Sequence, residues 1–174
     1  MPSVRAHVED LSSMPAFEML ARREAAEKEI TNLLGQLVFA YSRFVTGLHL
    51  CVAWHDDGKG INNYGDFAED LSASDLLKSI DKQTHSKLGK NSPGFKKYKA
   101  WLRQAHQLRE TRNTIMHSRW SIEPYGRHAI AVSTPIFVQP ATEHIFTATQ
   151  LRDLCDTSEK LINQLNKLRN EYPL

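Results

Sequence analysis

The 174-residue chain carries 22 Lys/Arg against 20 Asp/Glu, a formal net charge of +2, with 24% charged and 41% hydrophobic residues. That length suits one domain with a single core, and that balance is the one expected of a soluble globular protein rather than a disordered or membrane one. No apolar run approaches the ~18 to 20 residues of a membrane span, and the early charges Arg5, Glu9 and Asp10 do not fit a signal peptide. A cytoplasmic protein without a membrane partner is expected.

Residues 1–15 read as a polar N-terminal arm, and residues 16–174 as the domain. From Ala16 to Glu29 the chain is rich in Ala, Glu, Arg and Leu, good helix formers. Ile30, Leu34, Leu37, Tyr41, Phe44, Leu48 and Val52 then recur at three- and four-residue steps, which predicts a long buried helix to about Trp54. The turn residues from Asp56 to Gly65 end it. Read as a calcium loop with Gly60 at its sixth position, this segment would offer His55 and Lys59 as ligands, which a hard cation does not take. Gly58-Lys59-Gly60 lacks the spacing and following Ser/Thr of a phosphate loop.

Ser72 or Ser74 caps a second predicted helix to about Lys87, with Leu76, Leu77 and Ile80 facing inward. After a break containing Pro93, a third helix is expected from near Phe95, burying Tyr98, Leu102, Ala105, Leu108, Arg112 and Ile115. Beside that stripe His106, Glu110, Asn113 and His117 stack on one face. The helix should end just past His117, where Trp120 to Glu123 turns extended and Pro124-Tyr125-Gly126-Arg127 reads as a hairpin turn. Residues 128–138 favour a strand that Pro135 confines to an edge or breaks. Thr147, with Gln150 three residues on, forms the capping pattern of a last helix whose seam runs through Leu151, Leu154, Cys155, Leu161, Ile162, Leu165 and Leu168. The expected fold is all-α: a bundle of four to five helices with a small β-hairpin inserted before the last.

Cys51 and Cys155 fall in apolar helical patterns without a CxxC or Cys/His cluster, so neither a disulfide scaffold nor a zinc site is expected, and no cofactor. Charge is unevenly spread. Residues 78–127 hold twelve Lys/Arg against three acids, a balance of +9 that leaves −7 for the remainder. Such a segment suits a polyanionic partner, or a solvated basic face covered by acidic neighbours.

Within it lies Arg112-Asn113-Thr114-Ile115-Met116-His117, followed by Ser118-Arg119-Trp120. A permanent cation stabilises charge on a phosphate, and an imidazole with pKa near ~6.5 moves protons at neutral pH. Arg43 and His49 repeat the spacing on the first helix, where they read as surface or interface residues, with Arg43 also able to reach the same cleft. Arg112 has a structural alternative, pairing with Glu29, Glu110 or Asp153 as a packing device.

A long helix ending in Arg-Asn-x-x-x-His, an extended excursion and a Thr-capped closing helix together resemble the HEPN superfamily, the higher eukaryotes and prokaryotes nucleotide-binding domains. Arg112, Asn113 and His117 carry the motif, and the bundle order agrees over roughly residues 28–170. The resemblance implies a helical homodimer with two motifs facing each other at the interface. It also implies a metal-independent endoribonuclease of a toxin-antitoxin, phage-defence or RNA-processing system, with RNA as substrate and an antitoxin protein as a further partner. Arg119 stands where toxins paired with a nucleotidyltransferase antitoxin carry Tyr, so control through modification of that Tyr is not implied. Arg112, Asn113 and His117 are the expected catalytic set, Glu110 and His106 supporting residues, and Arg103, Arg109 and Arg119 RNA contacts. The alternatives are a non-catalytic dimer binding RNA, a nucleotide or a protein, and a dimerisation module paired through the last helix.

Overall fold

The computed structural model describes residues 14–54, 58, 71–133 and 141–174. The arm (save its last two residues), the 56–65 turn (save Gly58) and the end of the 128–138 strand, with Pro135, lie outside these residues. Among the described residues the chain forms four helices, α1 (Ala16–Ala53), α2 (Ala73–Lys87), α3 (Pro93–Met116) and α4 (Ala148–Glu171). Three strands, β1 (Ser118–Ile122), β2 (Ala129–Ser133) and β3 (Thr142–Phe146), stand between α3 and α4.

The helix starts follow from local chemistry. α1 begins directly after Pro15 and runs for 38 residues, joining the Ala/Glu-rich stretch and the apolar stripe into one helix. Ser72 caps α2 by accepting from the Asp75 N–H at 3.3 Å, while its hydroxyl donates to the Asp75 carboxylate at 2.6 Å. α3 starts two residues before Phe95, because Ser92 accepts from the Phe95 N–H at 3.2 Å and Pro93 fits the first turn, where its missing N–H costs nothing. Thr147 and Gln150 cap α4 reciprocally: the Thr147 N–H donates to Gln150 Oε1 at 2.8 Å and the Gln150 N–H to Thr147 Oγ1 at 3.2 Å.

Two apolar clusters set the helix directions. Ile30, Leu33 and Leu37 of α1 meet Ile115 of α3 and Leu151 of α4 in one of them. Tyr41 to Val52 meet Tyr98 to Leu108 and Leu161 to Leu168 in the other, with Leu76, Leu77 and Ile80 of α2. α1 and α4 therefore run in the same direction, and α3 runs against both. Glu29 pairs with Arg152 along the parallel seam, and Arg43 pairs with Glu159 at 3.1 Å. α2 and α3 form an antiparallel pair, tied by Lys99 to Asp81 at 2.9 Å.

Burying a side chain such as Phe44, 1% exposed, contributes about 2–3 kcal/mol. The Trp101 indole N–H donates to the Leu161 carbonyl at 2.9 Å, satisfying a polar group inside that core.

The inserted β element is larger than the expected hairpin. It is an antiparallel meander in the order β1-β2-β3, with Trp120 opposite Ala131 and Ala131 opposite His144. Trp120 and Phe146, on the outer strands, meet across the sheet at 5.5 Å. The predicted turn at Pro124–Arg127 joins β1 to β2, and Gly126 supplies the positive φ of +73°. A Cβ there would lie 2.8 Å from the Arg22 carbonyl oxygen, so the turn docks against α1.

Candidate functional site

The last turns of α3 carry most of the expected site. Going around this helix, Asn113, Arg109 and Arg112 succeed one another from its outer flank toward its buried face. Leu102, Ala105, Leu108 and Ile115 of that face are buried, and Arg112 is half-buried among them. A cation in such a position demands compensation.

No carboxylate supplies it. Among the described residues Arg112 forms no ion pair, for Glu29 is taken by Arg152 and Glu110 by Arg109 at 3.1 Å. The Arg112 guanidinium carbon instead sits 4.9 Å from the ring centroid of Tyr41 on α1, a cation–π contact. Its Nη1 approaches Asn113 Oδ1 at 3.4 Å. The Nε atoms of both Arg109 and Arg112 are buried without a hydrogen-bond partner among the described residues. An unpaired buried donor costs stability, and here two stand one turn apart.

Tyr41 was not singled out by the sequence for any role beyond the core stripe. It is 6% exposed. Burial pushes its phenol above the usual range, against the positive charges of Arg112 and Arg109, so the group stays protonated. The available signal was a residue with a polar tip inside an otherwise apolar stripe, which does not say which helix the ring will face.

His106 is half-buried, with Arg109, Glu110, Asp81 and Lys99 as its charged surroundings. Burial, reinforced by Arg109, pushes its imidazole below the ordinary range, although Glu110 and Asp81 pull the other way. It is therefore neutral at pH 7. Glu110 is exposed, so within the polar stripe His106 and Asn113 are half-buried while Glu110 and His117 face solvent.

His117 is the C-cap of α3, with φ −101° and ψ 5°, and its N–H donates to the Asn113 carbonyl at 3.0 Å. A positive charge is favoured at that helix end. Its imidazole makes no hydrogen bond among the described residues, so nothing in that part of the chain fixes a tautomer. The strand that follows is anchored nearby: the Trp120 indole donates to the Ile115 carbonyl at 3.0 Å, and the Ser118 hydroxyl to the Thr114 carbonyl at 2.6 Å.

The remaining cations are dispersed. Arg119 is exposed on β1, one residue from Trp120 and hence on the opposite face of the sheet. Arg103 is also exposed, and the nine residues to Arg112 make about two and a half helical turns, which puts the two on opposite sides of α3. Arg103 is not brought to Arg112. Arg43 lies on the α1–α4 seam with Glu159 and is likewise not part of the Arg112–Tyr41 contact.

The basic segment is neutralised only in part by acidic neighbours. Lys78, Lys97, Lys99, Arg109 and Arg127 are ion-paired. Lys82, Lys90, Lys96, Arg103, Arg112 and Arg119 form no ion pair among the described residues. Among those residues no group of three His, Cys, Asp or Glu is placed to hold a metal, and no helix is long and apolar enough to cross a membrane.

No protein-family model matches the chain, and comparisons with curated proteins and with solved structures find no match.

Proposed function

We propose that this chain is a HEPN-like, metal-independent endoribonuclease acting as a homodimer. The observation that carries the reading is the half-buried Arg112, which has no carboxylate among the described residues to neutralise it and stands five residues, nearly one and a half turns, before His117 at the end of the same helix. A cation left uncompensated in this way is available to a phosphate, and the unpaired cations elsewhere in the basic segment attract a polyanion.

RNA supplies its own nucleophile. The 2′-hydroxyl oxygen attacks the adjacent phosphorus, the bond to the 5′-oxygen breaks, and the products are a 2′,3′-cyclic phosphate and a 5′-hydroxyl. A base must take the 2′-hydroxyl proton and an acid must give one to the leaving oxygen. His117 fills one of these roles, and a second copy of His117 in the dimer fills the other. Arg112 stabilises charge on the phosphate, and Asn113 orients Arg112 or the substrate through its amide. Glu110 and His106 support the site, His106 as a neutral hydrogen-bonding group.

The exposed imidazole of His117, which has no hydrogen bond among the described residues, favours a second reading: a non-catalytic module that binds RNA, a nucleotide or a protein through Arg112 and Asn113. End-group analysis separates the two. Purified protein incubated with RNA in EDTA should leave cyclic 2′,3′-phosphate or 3′-phosphate ends and should spare an oligonucleotide bearing 2′-deoxyribose throughout. Stable binding without cleavage would establish the second reading, and cleavage of the 2′-deoxy oligonucleotide would exclude the proposed chemistry.

A further inference from the structure

Tyr41 belongs to a helix that contributes nothing else to the motif. α1 and α3 face each other across the bundle core, yet the Tyr41 ring on the first meets the Arg112 guanidinium on the second. The contact replaces what a protein ordinarily places beside a half-buried arginine. A carboxylate would hold Arg112 firmly, but it would also neutralise the charge and occupy the donors that an anion needs. An aromatic face orients the planar guanidinium through the ring quadrupole and leaves its charge intact.

The neighbouring atoms fit the same division of labour. Nη1 of Arg112 is near Asn113 Oδ1 at 3.4 Å, too long for a strong bond, and Nη2 has no partner among the described residues. Nε is buried, and no other group among the described residues claims it. Arg109, one turn earlier, is steered outward by Glu110 at 3.1 Å and does not displace Arg112 from the ring.

We propose that Tyr41 is the positioning residue of this site: its ring holds the Arg112 guanidinium in one orientation, uncompensated, so that its outer edge donates to a pair of phosphate oxygens. The inference rests on the reading of Arg112 as a phosphate-holding group, and it assigns the specificity for an oxyanion to a contact between two helices. The ring does the positioning, so the hydroxyl is dispensable.

The test uses inorganic phosphate and the arginine side-chain Nε–Hε signals in NMR spectra of the full chain. In the wild type the Arg112 signal is displaced by the ring current of Tyr41 and moves on phosphate titration. Tyr41→Phe should keep both the displacement and the phosphate affinity within about twofold. Tyr41→Leu should lose the displacement and weaken phosphate binding roughly three- to tenfold, the range set by a cation–π contact. Tyr41→Met, whose longer, flexible side chain reaches further into the space of the ring, replaces the Leu variant should that one lose its helical circular dichroism. A ring-free variant that binds phosphate as well as wild type overturns the positioning role alone, as does a Phe variant as weak as the ring-free ones. An Arg112 signal that phosphate leaves unmoved in the wild type overturns the inference and the phosphate-site reading together.

Discussion

The indole N–H of Trp120 donates to the backbone carbonyl of Ile115 at 3.0 Å, tying the first strand back onto the last turn of α3. The carbonyls of a helix's final turn have no partner within the helix, so this bond satisfies one of them and fixes the corner at which His117 sits. Trp120→Phe keeps the ring against Phe146 but removes the donor, and should cost about 1–2 kcal/mol in urea unfolding. The Nε–Hε signal of Arg112 should be unchanged in that variant, because the Tyr41–Arg112 contact uses neither group of the Trp120–Ile115 bond.

The tip of the β1–β2 turn packs against α1. Gly126 has φ +73°, and a Cβ would meet the Arg22 carbonyl at 2.8 Å. Gly126→Ala therefore adds a left-handed residue and a backbone clash, and should destabilise by roughly 1–3 kcal/mol. Thermal unfolding of this variant against Gly89→Ala, at a position with open space around it, checks the assignment.

Glu123, 8% exposed, sits at the base of that turn and accepts from the Arg127 N–H at 3.2 Å and from Arg127 Nη2 at 3.4 Å. Burial disfavours its charge, but the hydrogen bonds from Arg127 and Tyr125 prevail and hold the carboxyl below the ordinary range. Its folded pKa is thus below its unfolded one. The stability it contributes is present above the unfolded value and is lost as pH falls through the folded one. Glu123→Gln should be less stable than wild type at pH 7, and the difference should shrink on acidification below about pH 4.5. Urea unfolding at pH 7 and pH 3 measures it, and the exposure of Arg127 keeps the effect near or below about 1 kcal/mol.

Desolvation and Arg109 both keep His106 neutral. Arg109→Gln removes a repelling charge and should raise the His106 pKa toward its ordinary value, as followed by NMR titration of the imidazole. A His106 resonance that titrates identically in both proteins would mean that the two side chains do not share an environment.

The helix caps were legible because they are local: Ser72, and Thr147 with Gln150, announce themselves within four residues. The third strand was not. Thr142 to Phe146 is short and charged at Glu143, and its role as a strand comes from pairing with Ala129–Ser133, a relation that no local pattern encodes. The Arg112-to-His117 spacing was visible at once, but the Tyr41 contact was hidden, since helical periodicity gives the inward face and not the facing residue. The position of Arg103 was available from the same periodicity: nine residues of α-helix turn a side chain to the far side of the helix axis.

The central claim is that His117 moves a proton during RNA cleavage. The most direct measurement is the single-turnover cleavage rate of one RNA in EDTA by wild type and His117→Ala, purified alike and matched by helical circular dichroism. The account predicts a loss of roughly 10²- to 10⁴-fold in the variant. Equal rates in the two preparations would contradict it.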